Sequence, residues 1–286
     1  MKKILIATDF SKASEKATDY AFYLFSNTEC EFTLMYAYDI VPSGSPEMDF
    51  SLTEEMYSRS KKELQIRLDE IKNNNTKQYH TFKIELMPTS PSSAIQILNR
   101  KHNYDFVVVG ATGKGDDVLF GSTATDVVRN APVNALVIPV ETKLEPIKNV
   151  VLAVDYQAIS SFNDFDGLKD ILQRRNASLT LLTILKDGQQ PSDLDGLMKF
   201  EYHDYFEDVK ITDYYIHEST AEQGILEYLS YHKTDLMVML TRHHSFFDVL
   251  FNRSVTRRFA FNPTIPLLSI FCNADVEVPE HEVVTF

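Results

Sequence analysis

The sequence predicts an α/β protein made of two doubly wound, parallel-sheet domains in tandem, each a three-layer α/β/α sandwich. Three observations carry the expectation. The chain repeats itself, each copy holds short runs that are apolar on both faces, and amphipathic stretches separate those runs. A strand buried on both faces belongs in a parallel sheet covered by helices. Right-handed crossovers then give the Rossmann-like winding.

The repeat comes first, because a missed repeat changes the whole fold. Residues 2–11, KKILIATDFS, match residues 148–157, KNVVLAVDYQ, so that Asp9-Phe10 answers Asp155-Tyr156. FTLMYAY from Phe32 matches LTLLTIL from Leu179, and HNYDFVVVG from His102 matches HKTDLMVML from His232. DVLFGSTATDVVRNAPVNALVIPV from Asp117 matches DVLFNRSVTRRFAFNPTIPLLSIF from Asp248. Four matches in the same order define a unit of about 140 residues, an ordinary domain size. The domains are therefore expected at 1–142 and 147–273, joined through Glu141 to Pro146 and followed by an acidic tail over 274–286.

Within the first copy, ILIAT from Ile4 is too short and too β-branched for a helix and reads as a buried strand. Ser11 can cap a helix with Ala13, Ala17, Ala21 and Leu24 on one face. A second helix is expected from Glu54 to about Asn73, with Met56, Leu64, Leu68 and Ile71 at helical spacing. Ser92 to Arg100 and Ser122 to Asn130 read as the third and fourth. Asp39 to Phe50, rich in turn residues, reads as a loop able to cover a site.

Composition narrows the functional classes. A net charge of −13 argues against nucleic acid and anionic membrane surfaces as partners. There is no run of about eighteen apolar residues, hence no expected membrane span. The opening apolar run ends at Thr8 and Asp9, too short for a signal peptide, so a cytoplasmic address is the default. Cys30 and Cys272 are too few for a disulfide framework or a cysteine metal site.

In open α/β sheets ligands sit at the carboxyl ends of the strands, where strand order reverses. Thr8-Asp9-Phe10-Ser11 leaves the first strand there. So does Gly110-Ala-Thr-Gly113-Lys114-Gly115, followed by Gly121-Ser122-Thr123 opening a helix. Glycines let backbone approach a ligand, and a helix start offers free N–H groups and the positive end of its dipole. Ser122 and Thr123 add hydroxyl donors. Tight turns alone would also use these glycines. A Walker loop is excluded, since position 108 is Val and position 115 is Gly.

The tandem plan, ILIATDFS at the start and VVVGATGKGDDVLFGSTATDVVRNAPVNALVIPV closing a repeat together resemble the universal stress protein family. The resemblance implies a stress-response protein that binds ATP, with or without Mg²⁺, in its first domain. It puts Gly110, Gly113, Gly121 and Ser122 at phosphate-contacting positions. Thr8, Asp9 and Phe10 fall at the adenosine end, and Ala37 falls where an apolar residue lies against the base. The family has nine residues between its second glycine and the closing Gly-Ser, whereas Lys114 to Phe120 here is seven.

The second copy has Leu240 where Gly110 stands, His243 for Gly113, and Asn252-Arg253 for Gly121-Ser122. Those side chains would fill a phosphate site, so this copy reads as having lost it. The family's habit of twofold pairing implies intrachain pairing of the two domains along ALVIPV and PLLSIF, and leaves a homodimer open. Two other classes stay open beside the nucleotide module. One is a ligand-free interaction protein with both sites decayed. The other is a slow ATPase using Asp9 and a metal, although no further carboxylate stands beside Asp9 to hold one. No catalytic triad or nucleophile elbow is present. His243-His244 and Arg242, Arg253, Arg257 and Arg258 read as surface charge, and the tyrosines around Tyr202 to Tyr215 as core.

Overall fold

The computed structural model describes residues 1–38, 46–74, 77–111, 122–157, 159, 161–240 and 265–272. Its first half runs β1 (Lys2–Ala7), α1 (Lys12–Leu24), β2 (Cys30–Ala37), α2 (Pro46–Asn74), β3 (His80–Met87), α3 (Pro91–His102), β4 (Phe106–Ala111), α4 (Ser122–Asn130) and β5 (Asn134–Pro139). The second runs β6 (Asn149–Ala153), α5 (Asp166–Arg175), β7 (Ser178–Leu185), α6 (Gly196–Tyr205), β8 (Ile211–His217), α7 (Ala221–Tyr231), β9 (Leu236–Leu240) and β10 (Leu267–Ile270). A short 3-10 turn, Phe162–Phe165, precedes α5.

These strands form one ten-stranded sheet in the order β3-β2-β1-β4-β5-β10-β9-β6-β7-β8. Read from either edge inward, each half has the same winding, and every pair within a half is parallel. The central joint between β5 and β10 is antiparallel, with Val137 opposite Leu267 and Ala135 opposite Ser269. Alternate residues of each strand serve opposite layers, as the pleat requires. Ile4 and Ile6 belong to the core layer that also holds buried residues of α1, α2, α5 and α6, whereas Leu5 belongs to the opposite layer, with those of α3, α4 and α7.

Local sequence explains most element ends. Ser11 caps α1 by accepting from the Ser14 amide, and Ala13, Ala17, Ala21 and Leu24 are buried as their spacing requires. Helix α2 departs from expectation at its start: it begins at Pro46, so Pro46 to Phe50 is helical rather than loop. Proline suits the first helical turn, where its missing N–H has no partner to lose. Ser60, Leu64, Leu68 and Ile71 form the buried stripe, but Met56, one turn before Ser60 on the same stripe, is 43% exposed. Residues 39–45 of the expected flap lie outside the described residues.

The repeated His-x-x-Asp turns out to be a structural joint. In the first half the Asp105 carboxylate accepts from the Lys3 amide at 2.7 Å, and in the second the Asp235 carboxylate accepts from the Asn149 amide at 2.9 Å. Each aspartate fastens the loop before one strand to the start of its neighbour.

Candidate functional site

The strand order reverses between β1 and β4, which places the carboxyl end of β1 at the switch point. The chain leaves β1 through a tightly bonded turn. The Thr8 amide donates to the Met35 carbonyl at 2.8 Å, and the Thr8 hydroxyl accepts from the Phe10 amide at 3.1 Å. The Thr8 and Ser14 hydroxyls lie 3.1 Å apart. Phe10 takes a left-handed φ of 61°, a costly conformation for a bulky residue. The second half repeats the feature: Tyr156 has φ 53°, and the Val154 amide donates to the Leu182 carbonyl.

Asp9 is exposed in this turn, and its Oδ1 accepts from the Ser11 amide at 3.0 Å. Partial burial pushes its carboxyl up, but hydrogen bonds from Ser11 and Ser14 outweigh that and hold it below the ordinary value. At neutral pH Asp9 is therefore an anion with one oxygen already engaged. Such a group accepts hydroxyl or amine protons and repels phosphate. Phe10 packs on Tyr36 at 4.9 Å between ring centroids, and Tyr36 precedes Ala37 at the carboxyl end of β2. Ala37 is half-buried and pairs in register with Met87. Thr8, Asp9, Phe10, Ala37 and Gly110 thus share the carboxyl ends of β1, β2 and β4. Sequence reasoning missed Tyr36, although it lies within the FTLMYAY match, and Ser14, in the first turn of the helix that Ser11 caps.

Gly110 has a cause of its own. A Cβ there would stand 2.4 Å from the backbone carbon and oxygen of Ala13 and 2.7 Å from the nitrogen of Ser14. The missing side chain lets the first turn of α1 lie against β4. In the second half Leu240 occupies this position, fully buried, and the chain between β6 and α5 is longer. There a 3-10 turn intervenes, and the helix starts later. The glycine and the early helix start go together.

Ser122 is the first residue of α4 and Thr123 an exposed residue of its first turn. Four N–H groups at a helix start lack intrahelical partners, so this end can receive an anion. Gly113, Gly121 and the seven-residue loop lie outside the described residues, as do His243, Asn252, Arg253 and the other arginines of that cluster. Among the described residues no group of His, Cys, Asp and Glu could hold a metal ion. No described helix is long and apolar enough to cross a membrane. Cys30 and Cys272 are free and buried, and burial pushes the Cys30 thiol up to about 12, far from a reactive thiolate. Tyr202 and Phe206 are fully buried among Phe162 and Phe165, as core.

Residues 1–139 match the model of the universal stress protein family, and the match ends on the last residue of β5. A curated relative, the universal stress protein MJ0531 of Methanocaldococcus jannaschii, is 29% identical over 141 residues, 48% of this chain and 81% of its own. Among solved structures, a universal stress protein of Archaeoglobus fulgidus superposes over both halves, with a TM-score of 0.71 and 15% identity. That likeness covers 94% of this chain and 98% of the other. PA1789 of Pseudomonas aeruginosa gives a TM-score of 0.57 at 12% identity, over 95% of this chain and 93% of its own.

Proposed function

We propose, from the premise that the chain belongs to the universal stress protein family through residues 1–139, that its first half is an adenine-nucleotide-binding regulatory module with ATP as ligand. The observation that carries this reading is the seat of α1 against β4 at Gly110, absent where Leu240 stands. Both halves keep the turn after their first strand, but only in the first does the helix start directly behind it, seated on the glycine at the switch point. In this reading the Asp9 carboxylate accepts from ribose hydroxyls, Ala37 faces the base, and the anionic phosphates lie away from Asp9. They rest on the amino end of α4, held by Ser122, Thr123, Gly113 and Gly121. The β5–β10 joint acts as the pairing surface of the family's twofold arrangement, made within one chain.

A ligand-free interaction protein is the rival reading. One observation favours it: helix packing explains Gly110 without any ligand. The two part company on purification. The nucleotide module releases adenine nucleotide on acid treatment of the chain purified without added nucleotide, and Gly121→Leu releases none. A wild-type chain that releases none and binds none when ATP is added leaves the interaction protein.

A further inference from the structure

A cavity of about 510 Å³ lies away from the nucleotide site, where the two halves meet. Tyr20 of α1 lines it, with Glu145 of the connecting segment and the last turn of α7 through Tyr231, Asp235 and Pro266. We propose that this cavity binds a small aliphatic diamine, one ammonium toward Asp235 and Tyr20 and the other toward Glu145.

Four observations converge on that chemistry. Tyr20 is 1% exposed, yet its hydroxyl has no hydrogen-bond partner among the described residues. A buried hydroxyl left so costs free energy. Burial also pushes its ionisation far above the ordinary range, so its oxygen is neutral and accepts from an N–H. Asp235 spends Oδ2 on the amides of Lys148 and Asn149, while Oδ1 meets Lys233 Nζ at 3.6 Å. The Lys233 side chain is 69% exposed, a weak surface pair that a ligand ammonium replaces. Helix α7 ends at Tyr231, and the carbonyls of a last helical turn carry the negative end of its dipole. Exposed Glu145 supplies a second carboxylate, so two ammonium groups are satisfied where one would leave it unpaired. Lys143, also exposed at the rim, opposes a cation but is screened by water. The chain's net charge of −13 adds a long-range pull on cations.

Putrescine titrated into the full chain at low salt tests the proposal, with Tyr20→Phe and Glu145→Gln as variants and butylamine as the single-amine probe. Each variant weakens putrescine about tenfold, the loss of one charge-assisted contact, and butylamine binds wild type about tenfold more weakly. Thermal melts confirm that both variants are folded. The proposal is overturned by absence of putrescine binding up to about 10 mM, a weak-fragment limit. Wild-type affinity in either folded variant overturns it too.

Discussion

The guanidinium of Arg175, at the end of α5, donates to the Leu24 carbonyl at the end of α1 and also to that of Tyr23. Carbonyls at a helix end have no partner within the helix, and here a side chain from the other half of the chain supplies one. The same guanidinium lies 4.9 Å from the Tyr23 ring centroid, and Arg174 donates to the Asn27 carbonyl at 3.3 Å. Nearby, Lys2 of β1 pairs with Asp170 of α5 at 3.4 Å. The halves are therefore joined by these polar clasps as well as by the β5–β10 ladder.

Arg175→Met keeps the aliphatic stem and removes the guanidinium that donates to both carbonyls. It is expected to lower unfolding free energy by about 2 kcal/mol, the range for hydrogen bonds to a charged donor. Arg175→Lys recovers less than half, because an ammonium lacks the planar face that lies over the Tyr23 ring. Urea unfolding of the three chains measures both. A loss below about 0.5 kcal/mol, the level of an ordinary surface change, would mean that the cap is incidental.

Gly110→Ala and Gly224→Ala should part sharply. At Gly110 the new methyl meets the α1 backbone, which cannot turn aside, so a loss of about 2–3 kcal/mol is expected, as for overpacking. At Gly224 the methyl meets only the half-buried side chain of Ile184, with Cγ1 at 2.4 Å, Cγ2 at 3.1 Å and Cβ at 3.3 Å, so one side chain has to shift and no backbone does. Alanine also gains about 1 kcal/mol of helix propensity within α7. Gly224→Ala should therefore melt within a few degrees of wild type, and Gly110→Ala well below it.

Asp213 of β8 gathers three partners: His203 Nε2 at 3.1 Å, the Tyr156 hydroxyl at 3.3 Å and Lys199 Nζ at 3.1 Å. Burial pushes its carboxyl up, but the hydrogen bonds from His203 and Lys199 outweigh that and leave it below its ordinary value of 3.8. A depressed acid stabilises the fold fully above its unfolded value and loses that contribution as pH falls through the folded one. Asp213→Asn should thus cost about 1 kcal/mol at pH 7, a modest figure because the partners are half-exposed. The gap should close as pH drops below 3.8. Denaturant melts at pH 7 and pH 3 read it, and a gap unchanged between them contradicts the assignment.

Much of the fold was legible because it is local. Fully apolar runs such as Ile4 to Ala7 gave buried strands, and the small residues from Ala13 to Ala21 gave the buried face of α1. What escaped depends on distant partners. Met56 sits at helical spacing with Leu64, but the layer above the sheet ends before reaching it. The Ser-Pro letters before Glu47 signal turns and helix starts alike, and here the helix won. Gly110 looked like a glycine for a ligand, and the contact that requires it is Ala13, nearly a hundred residues earlier in the chain. Arg175 carries no local sign that it will meet Leu24.

Calorimetric titration of ATP into the nucleotide-stripped chain tests the central claim most directly. The account predicts micromolar binding at one site per chain, weakened at least tenfold by Asp9→Ala through loss of a charged acceptor. No measurable heat from the stripped wild type, or two sites per chain, would contradict it.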